Sequence, residues 1–396
     1  MPARRGSLPA ARLRSPPDRV PLNSVKRLLL VGGGHSHVEV VRRFGAAPPR
    51  GADVILVSPD RYASYSGMLP GLIAGHYAFH DCHIDLEQLC RAARVTFERA
   101  EVTALDLAKN VARCKVGGER SFDLLSLDIG STPDTAAVPG SLPFAVSVKP
   151  VSALLAAWET IIAAARRAPQ NIAIVGGGAG GVELAAAMYH RLQAECAVAS
   201  RLSLVTDAPV ILPAHPPGVR RVFERLFAQR GIALYCASRA VKVEAGVLHL
   251  ESGVRLGADW IVWATAASAY AWLKSSGLLT DARGFVAVDD TLRSASHPRV
   301  FAAGDCASMA NRSLPKSGVY AVRQGPPLAE NLRRALAGMP LIRYSPQRRA
   351  LALISTGGRH AVASWDGMAV SGHWVWRWKD RIDRGFVVRY RTPSAA

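Results

Sequence analysis

The sequence has no apolar run of 18 residues, so it offers no candidate transmembrane helix. It contains no CxxC or CxxxxC: Cys82, Cys90, Cys114, Cys196, Cys236 and Cys306 stand far apart. That spacing excludes a local dithiol redox motif and a zinc site, so no metal centre is expected. The isolated cysteines point instead to free thiols in a reducing compartment. The amino terminus lacks the apolar core of a secretory signal. Acids are scarce, with 30 Asp and Glu against 49 Lys and Arg, giving a net charge of +19. Such a field attracts polyanions, namely nucleotide phosphates, anionic lipid or nucleic acid. The basic residues are scattered and form no nucleic-acid-binding motif, so no specific nucleic-acid partner is expected.

What is present is a chain with enough apolar residues for a large α/β core. Hydrophobic residues make up 49% of it, which separates it from disordered chains, and its 396 residues suit two to three domains. Residues 1–24 differ from the rest. They are rich in Arg and Pro, hold one acid, Asp18, and read as a disordered basic tail.

The strongest signal is an internal repeat. Residues 26–42 read KRLLLVGGGHSHVEVVR and residues 171–187 read NIAIVGGGAGGVELAAA. Each has a continuous apolar run, as in a strand buried on both faces, then a glycine cluster, then a helix-like pattern. Glycine serves where the backbone turns sharply and approaches a pyrophosphate, and the helix that follows aims its free N–H groups at the phosphates. Gly176, Gly178 and Gly181 complete G-x-G-x-x-G. In the first copy Gly32 and Gly34 fit, but His37 replaces the third glycine. A histidine there is expected to point outward or push the helix slightly away, as a substitution without chemistry. The competing reading has His35 or His37 donate a hydrogen bond near the cofactor.

An acid some 20–30 residues on should bind each ribose. Ser58 stands at the first of these strand ends, with Asp60 two residues later. Asp207 follows Thr206 at the second. No arginine follows Asp207 closely, which tilts the second site toward NADH over NADPH.

At FDLLSLDIGSTP (122–133) and VFAAGDCA (300–307) the chain resembles the FAD/NAD(P)-binding pyridine nucleotide oxidoreductases, and the resemblance runs from about residue 26 almost to the end. Within that group it is similar to type II NADH dehydrogenases and sulfide:quinone oxidoreductases. More narrowly, it resembles the flavoprotein module often fused to selenide, water dikinase, through GGGHSHVEV, YSGMLPGLIAGHY, LPKSGVYAVRQGPPLAENL and WVWRWKDRIDR.

The resemblance implies two Rossmann-like, three-layer α/β domains, one inserted in the other, plus a small C-terminal α+β region. The FAD domain would comprise 25–148 and 281–338, the NAD(P)H domain 149–280, and the C-terminal region 339–396. It implies FAD at Gly32, Gly34, His35, Ser58, Pro70, Val102, Gly130, Gly304 and Asp305, with NADH or NADPH at Gly176, Gly178, Gly181 and Asp207. Three residues take catalytic roles by likeness. Glu183 would lie near the nicotinamide. Lys316 would stabilise a reduced, anionic flavin, or else face solvent. Gln324 matches the last glutamine of the quinone-binding A-Q-x-x-x-Q pattern, whose first glutamine is missing.

The expected activity is hydride transfer from NAD(P)H to FAD, then electron transfer to an acceptor, of which a quinone is one candidate. Cys306 has no placed partner, which weighs against sulfide oxidation. The alternative is a weakly active or non-catalytic FAD- or nucleotide-binding partner module linked to selenium or sulfur metabolism. Trp374, Trp378, Ile382 and Phe386 recur every four residues, with Arg377, Lys379, Arg381 and Arg384 on the other faces. Tryptophan on one side and cations around it suit either a membrane interface or a helix packed on the FAD domain with its basic residues in water. The expected location is cytoplasmic, peripheral on the inner face of the cell membrane if the helix binds lipid. A homodimer is a further expectation.

Overall fold

The computed structural model describes residues 25–134, 138–347 and 349–391. The basic tail expected over residues 1–24 lies outside them.

Each glycine loop starts a parallel sheet. Strand β1 (Lys26–Val31) leads into helix α1 (His35–Ala46), followed by β2 (Ala52–Ser58), helix α2 (Leu69–Ile73), β3 (Thr96–Arg99) and β4 (Leu124–Leu127). The chain then builds a second unit: β5 (Val146–Ser147), α3 (Val151–Ala165), β6 (Asn171–Val175), α4 (Ala179–Glu195), β7 (Arg201–Val205), α5 (Pro217–Arg230), β8 (Ala233–Tyr235) and β9 (Trp260–Trp263). It returns to the first sheet with β10 (Val300–Ala302) and crosses it with helix α6 (Gly318–Leu336). The sheet orders are β10-β4-β1-β2-β3 and β5-β9-β6-β7-β8, all strands parallel. The two sheets therefore share one plan, with the strand before the glycine loop at the centre.

Both faces of each sheet are covered, which explains the unbroken apolar runs. Leu28, Leu29 and Leu30 of β1 are fully buried, and Val38, Val41 and Phe44 of α1 lie in the same core. Ile172 and Ile174 of β6 share the second core with Trp158 of α3 and with Phe223 and Phe227 of α5.

The C-terminal region contains both sheet and helix, as its α+β reading expects. It forms a three-stranded antiparallel sheet, β11 (Ala352–Ser355), β12 (Ala361–Trp365) and β13 (Met368–Gly372), then the 19-residue helix α7 (His373–Arg391). Asp366 and Gly367, both with positive φ, make a two-residue hairpin turn that sets Trp365 against Met368.

Helix α7 departs from its sequence reading in two places. Trp374, Trp378 and Ile382 are exposed, but Phe386 is buried and stacks on Tyr65 with ring centroids 4.3 Å apart. At 3.6 residues per turn a four-residue spacing drifts about 40° per step, so the fourth member has turned inward. Lys379, expected in water, is buried as well. No helix among the described residues is long and apolar enough to cross a membrane.

Candidate functional site: two dinucleotide cradles joined beneath a C-terminal helix

Gly32 and Gly176 are required by close backbone approach. A Cβ on Gly32 (φ +94°) would lie 2.4 Å from the carbonyl oxygen of Asp128, and one on Gly176 (φ +133°) 2.2 Å from that of Ala264. Gly34 and Gly178 precede α1 and α4 as caps without a side-chain hydrogen bond, and neither helix has an acid in its first turn. Gly181 is the tight third glycine, since a Cβ there would meet the Gly176 carbonyl oxygen at 1.9 Å.

His37, at the equivalent place in α1, neither points outward nor stands idle. It is fully buried, with Nδ1 2.7 Å from the Gly32 carbonyl oxygen and Nε2 2.8 Å from Ser126 Oγ. The imidazole spans the gap that the missing glycine would have closed, and it pins α1 to β1 and β4. Burial holds it down at about 4, so it stays neutral at ordinary pH. His35 begins α1, and its Nε2 has no hydrogen-bond partner among the described residues. Its ring lies 5.4 Å from that of Tyr65.

Around this loop the fold gathers most of the residues that the sequence reading expects to hold FAD. Ser58 is buried at the end of β2, and a Cβ on Gly33 would lie 3.3 Å from its Oγ. Gly304 (φ +67°) comes in from the far end of the chain against Asp128. The Gln324 amide oxygen accepts the Gly304 N–H at 2.6 Å, so Gln324 is held as a brace for that turn. Asp305 accepts from Ser131 Oγ at 3.1 Å and Lys149 Nζ at 3.2 Å. Pro70 is buried in α2, and Val102 is buried at the start of its strand. Gly130 has φ +70° and open space at its Cβ position. An orphaned ring nitrogen, glycines that let backbone and carboxylate approach, and a helix N-terminus together fit a dinucleotide.

Lys316 is not a free surface lysine. Its Nζ donates to the Ala307 carbonyl and lies 3.8 Å above the centre of the Phe285 ring, and burial lowers its pKa. With Tyr320, Gln324, Asp305, Gly304 and Met309 it lines a cleft beside the Gly304 turn.

Glu183 belongs to a different group. Its carboxylate accepts the Ser355 N–H at 2.7 Å, and burial pushes it up to about 7 against the pull of Lys379. Lys379 donates to Asp383 at 2.6 Å and to the Gly67 carbonyl oxygen. Asp383 bonds in turn to Tyr65. A chain of ionisable groups thus runs from the second glycine loop, through α7, to the loop after β2. From sequence Lys379 reads only as one of the basic residues on the helix's other faces, and Asp383 is not singled out, although their i, i+4 spacing on one helix is a signal. Asp207 stands apart, exposed beyond the end of β7. Cys306 donates to the carbonyls of Ala303 and Leu127, and burial pushes its thiol up to about 12.

Known proteins share this plan. An NADH dehydrogenase-like protein of Mycobacterium tuberculosis is 28% identical over 269 residues, covering 63% of this chain and 67% of the relative. A type II NADH:quinone oxidoreductase of Staphylococcus aureus is 24% identical over 342 residues, covering 79% and 83%. Among solved structures, the sulfide:quinone oxidoreductase of Aquifex aeolicus superposes with a TM-score of 0.76 at 17% identity, covering 93% of this chain and 92% of that one. NDH2 of Plasmodium falciparum, solved with NADH, gives 0.76 at 14%, covering 93% and 98%. The family model for pyridine nucleotide-disulphide oxidoreductases matches residues 26–325, from the first glycine loop through Gln324, and the chain belongs to that family.

Proposed function

We propose that this protein binds FAD at the first glycine loop and NADH at the second, and passes electrons to a diffusible acceptor, a quinone first among the candidates. The observation that carries this is the pair of glycine-loop cradles on two sheets of one plan, bridged by Glu183, Lys379, Asp383 and Tyr65. FAD, when bound, supplies the two-electron chemistry. The chain's residues position and exclude water. Gly304 and Gln324 set the turn that closes the FAD side, while Phe386 and Tyr65 wall it off. Glu183, poised near neutrality, holds or releases a proton beside the nicotinamide loop. We assign 25–148 with 281–338 to the FAD domain, 149–280 to the NADH domain and 339–396 to the C-terminal region.

The names of the relatives support a quinone as acceptor. The protonated state of Cys306 and the wide cysteine spacing disfavour thiol or sulfide chemistry. The acid Asp207 with no adjacent arginine favours NADH. The exposed Trp374, Trp378 and Ile382 beside arginines support peripheral attachment to an anionic membrane. The purified protein is expected to be yellow and to lose its flavin absorbance near about 450 nm on anaerobic addition of NADH. Reoxidation by quinones, oxygen, and sulfur or selenium compounds then ranks the acceptors. A protein that takes up no FAD, or whose bound FAD is not reduced, overturns the proposal.

A further inference from the structure

The two nucleotide units differ at one position that the fold makes equivalent. Leu127 ends β4 opposite Val31, and Trp263 ends β9 opposite Val175. The next residue is Asp128 in the first unit and Ala264 in the second. Their carbonyls do the same work against Gly32 and Gly176. Their side chains do not. The Ala264 methyl reaches only toward Gly181, leaving the N-terminus of α4 without a side-chain acceptor. The Asp128 carboxylate crosses to the N-terminus of α1 and accepts the Ser36 N–H at 2.8 Å and the His37 N–H at 3.0 Å. It also fills the space over two glycines of the FAD cradle: a Cβ on Gly34 would lie 2.3 Å from it, and one on Gly304 2.4 Å.

The first loop therefore carries a built-in acid at the helix end where a pyrophosphate would bring its own negative charge. The two N–H groups favour its charged form, but no free cation among the described residues neutralises that acid. From α1, His35 and His37 are both held near 4 and are neutral. From the Gly304 turn, Asp305 adds negative charge and Cys306 is a thiol held near 12. From the segment before α3, Lys149 is engaged by Asp305 and Ser131, and from the segment before α6, Lys316 is engaged by the Ala307 carbonyl. Burial, with no cation at hand, pushes Asp128 up to about 7.

We infer that Asp128 must carry a proton for FAD to seat, so that cofactor binding takes up one proton from solvent at the Asp128 carboxylate. FAD affinity then falls as the solution turns alkaline, whereas the second unit, with Ala264 in the equivalent place, has no such acid at its helix end. This rests on the assignment of the first loop to FAD.

The test is titration of FAD into flavin-stripped protein between pH 6 and 9, read by quenching of flavin fluorescence, with NADH titrated in parallel. The FAD dissociation constant is expected to be flat below neutrality and to rise about tenfold per pH unit above it. Asp128→Asn keeps an acceptor for α1 without the charge, and should remove the rise. Calorimetry of the wild type at pH 8, in two buffers of different ionisation enthalpy, should show uptake of close to one proton per FAD, which needs no variant. A flat wild-type profile, a D128N profile with the wild-type slope, or no proton uptake overturns the inference. Failure to bind FAD at any pH overturns the loop assignment, and this inference with it.

Discussion

At the scale of single residues, the most instructive side chain is His37. A missing glycine in a nucleotide fingerprint reads as a defect, and in sequence His37 looks like a tolerated one. In the fold its two ring nitrogens are both used and the ring is fully buried. His37→Ala removes both contacts and leaves a cavity, so it should destabilise the protein by about 2–4 kcal/mol in urea unfolding at pH 7. The pH dependence has a fixed sign. Because the folded chain holds His37 down from its ordinary 6.5 to about 4, its share of stability is complete above 6.5 and is lost as the pH falls toward 4. Each unit of that interval corresponds to about 1.4 kcal/mol. The stability of His37→Ala should therefore depend less steeply on pH between 6.5 and 4, by close to one proton. An identical slope would mean that the imidazole is not neutral in the folded state.

The elements show which parts of each loop can change. In α4, the Cβ of an alanine at position 181 would sit 1.9 Å from the Gly176 carbonyl oxygen, and backbone cannot give way as a flexible side chain can. Gly181→Ala should push α4 off β6 and weaken NADH binding tenfold or more, by roughly 1.4 kcal/mol at least. FAD content should stay unchanged, since α1 and β1 belong to the other sheet. Parallel loss of both cofactors would contradict the independence of the two cradles. Much of this was readable beforehand. The strands, glycine turns and helices at 26–46 and 171–195 announce themselves through apolar runs and glycine spacing. The hairpin strand Met368–Gly372 was signalled by Asp366-Gly367 but masked by the short, mixed strands around it. The inward turn of Phe386 follows from helix geometry, yet a strict four-residue count conceals it.

For the whole molecule, the question is what covers the exposed apolar face of α7. Trp374 and Trp378 stack 6.5 Å apart in the open, and Trp365 and Met368 project from the neighbouring hairpin. On a chain of net charge +19, this combination favours an anionic lipid surface. Wild-type protein should sediment with vesicles containing phosphatidylglycerol and be released by salt, because charge attraction is screened. Replacing Trp374, Trp378 and Ile382 together by Gln should abolish sedimentation, and change stability little, since all three are exposed. Retained binding by the triple variant would place the membrane contact elsewhere.

The sequence alone determined the two nucleotide units, because strand, glycine turn and helix are local patterns that hydrophobic periodicity and backbone sterics impose within some twenty residues. It also named Gly304, Asp305, Glu183, Lys316 and Gln324 as residues to examine. Only the tertiary structure decided what they touch. Gln324 braces Gly304 across 20 residues, Lys379 of α7 meets Gly67 across 312, and Asp128 reaches α1 across 92. These contacts join segments whose separation in the chain carries no periodic signal. Their chemistry is set by burial, which brings Asp128 and Glu183 to the edge of ionisation near neutrality and holds His37 uncharged.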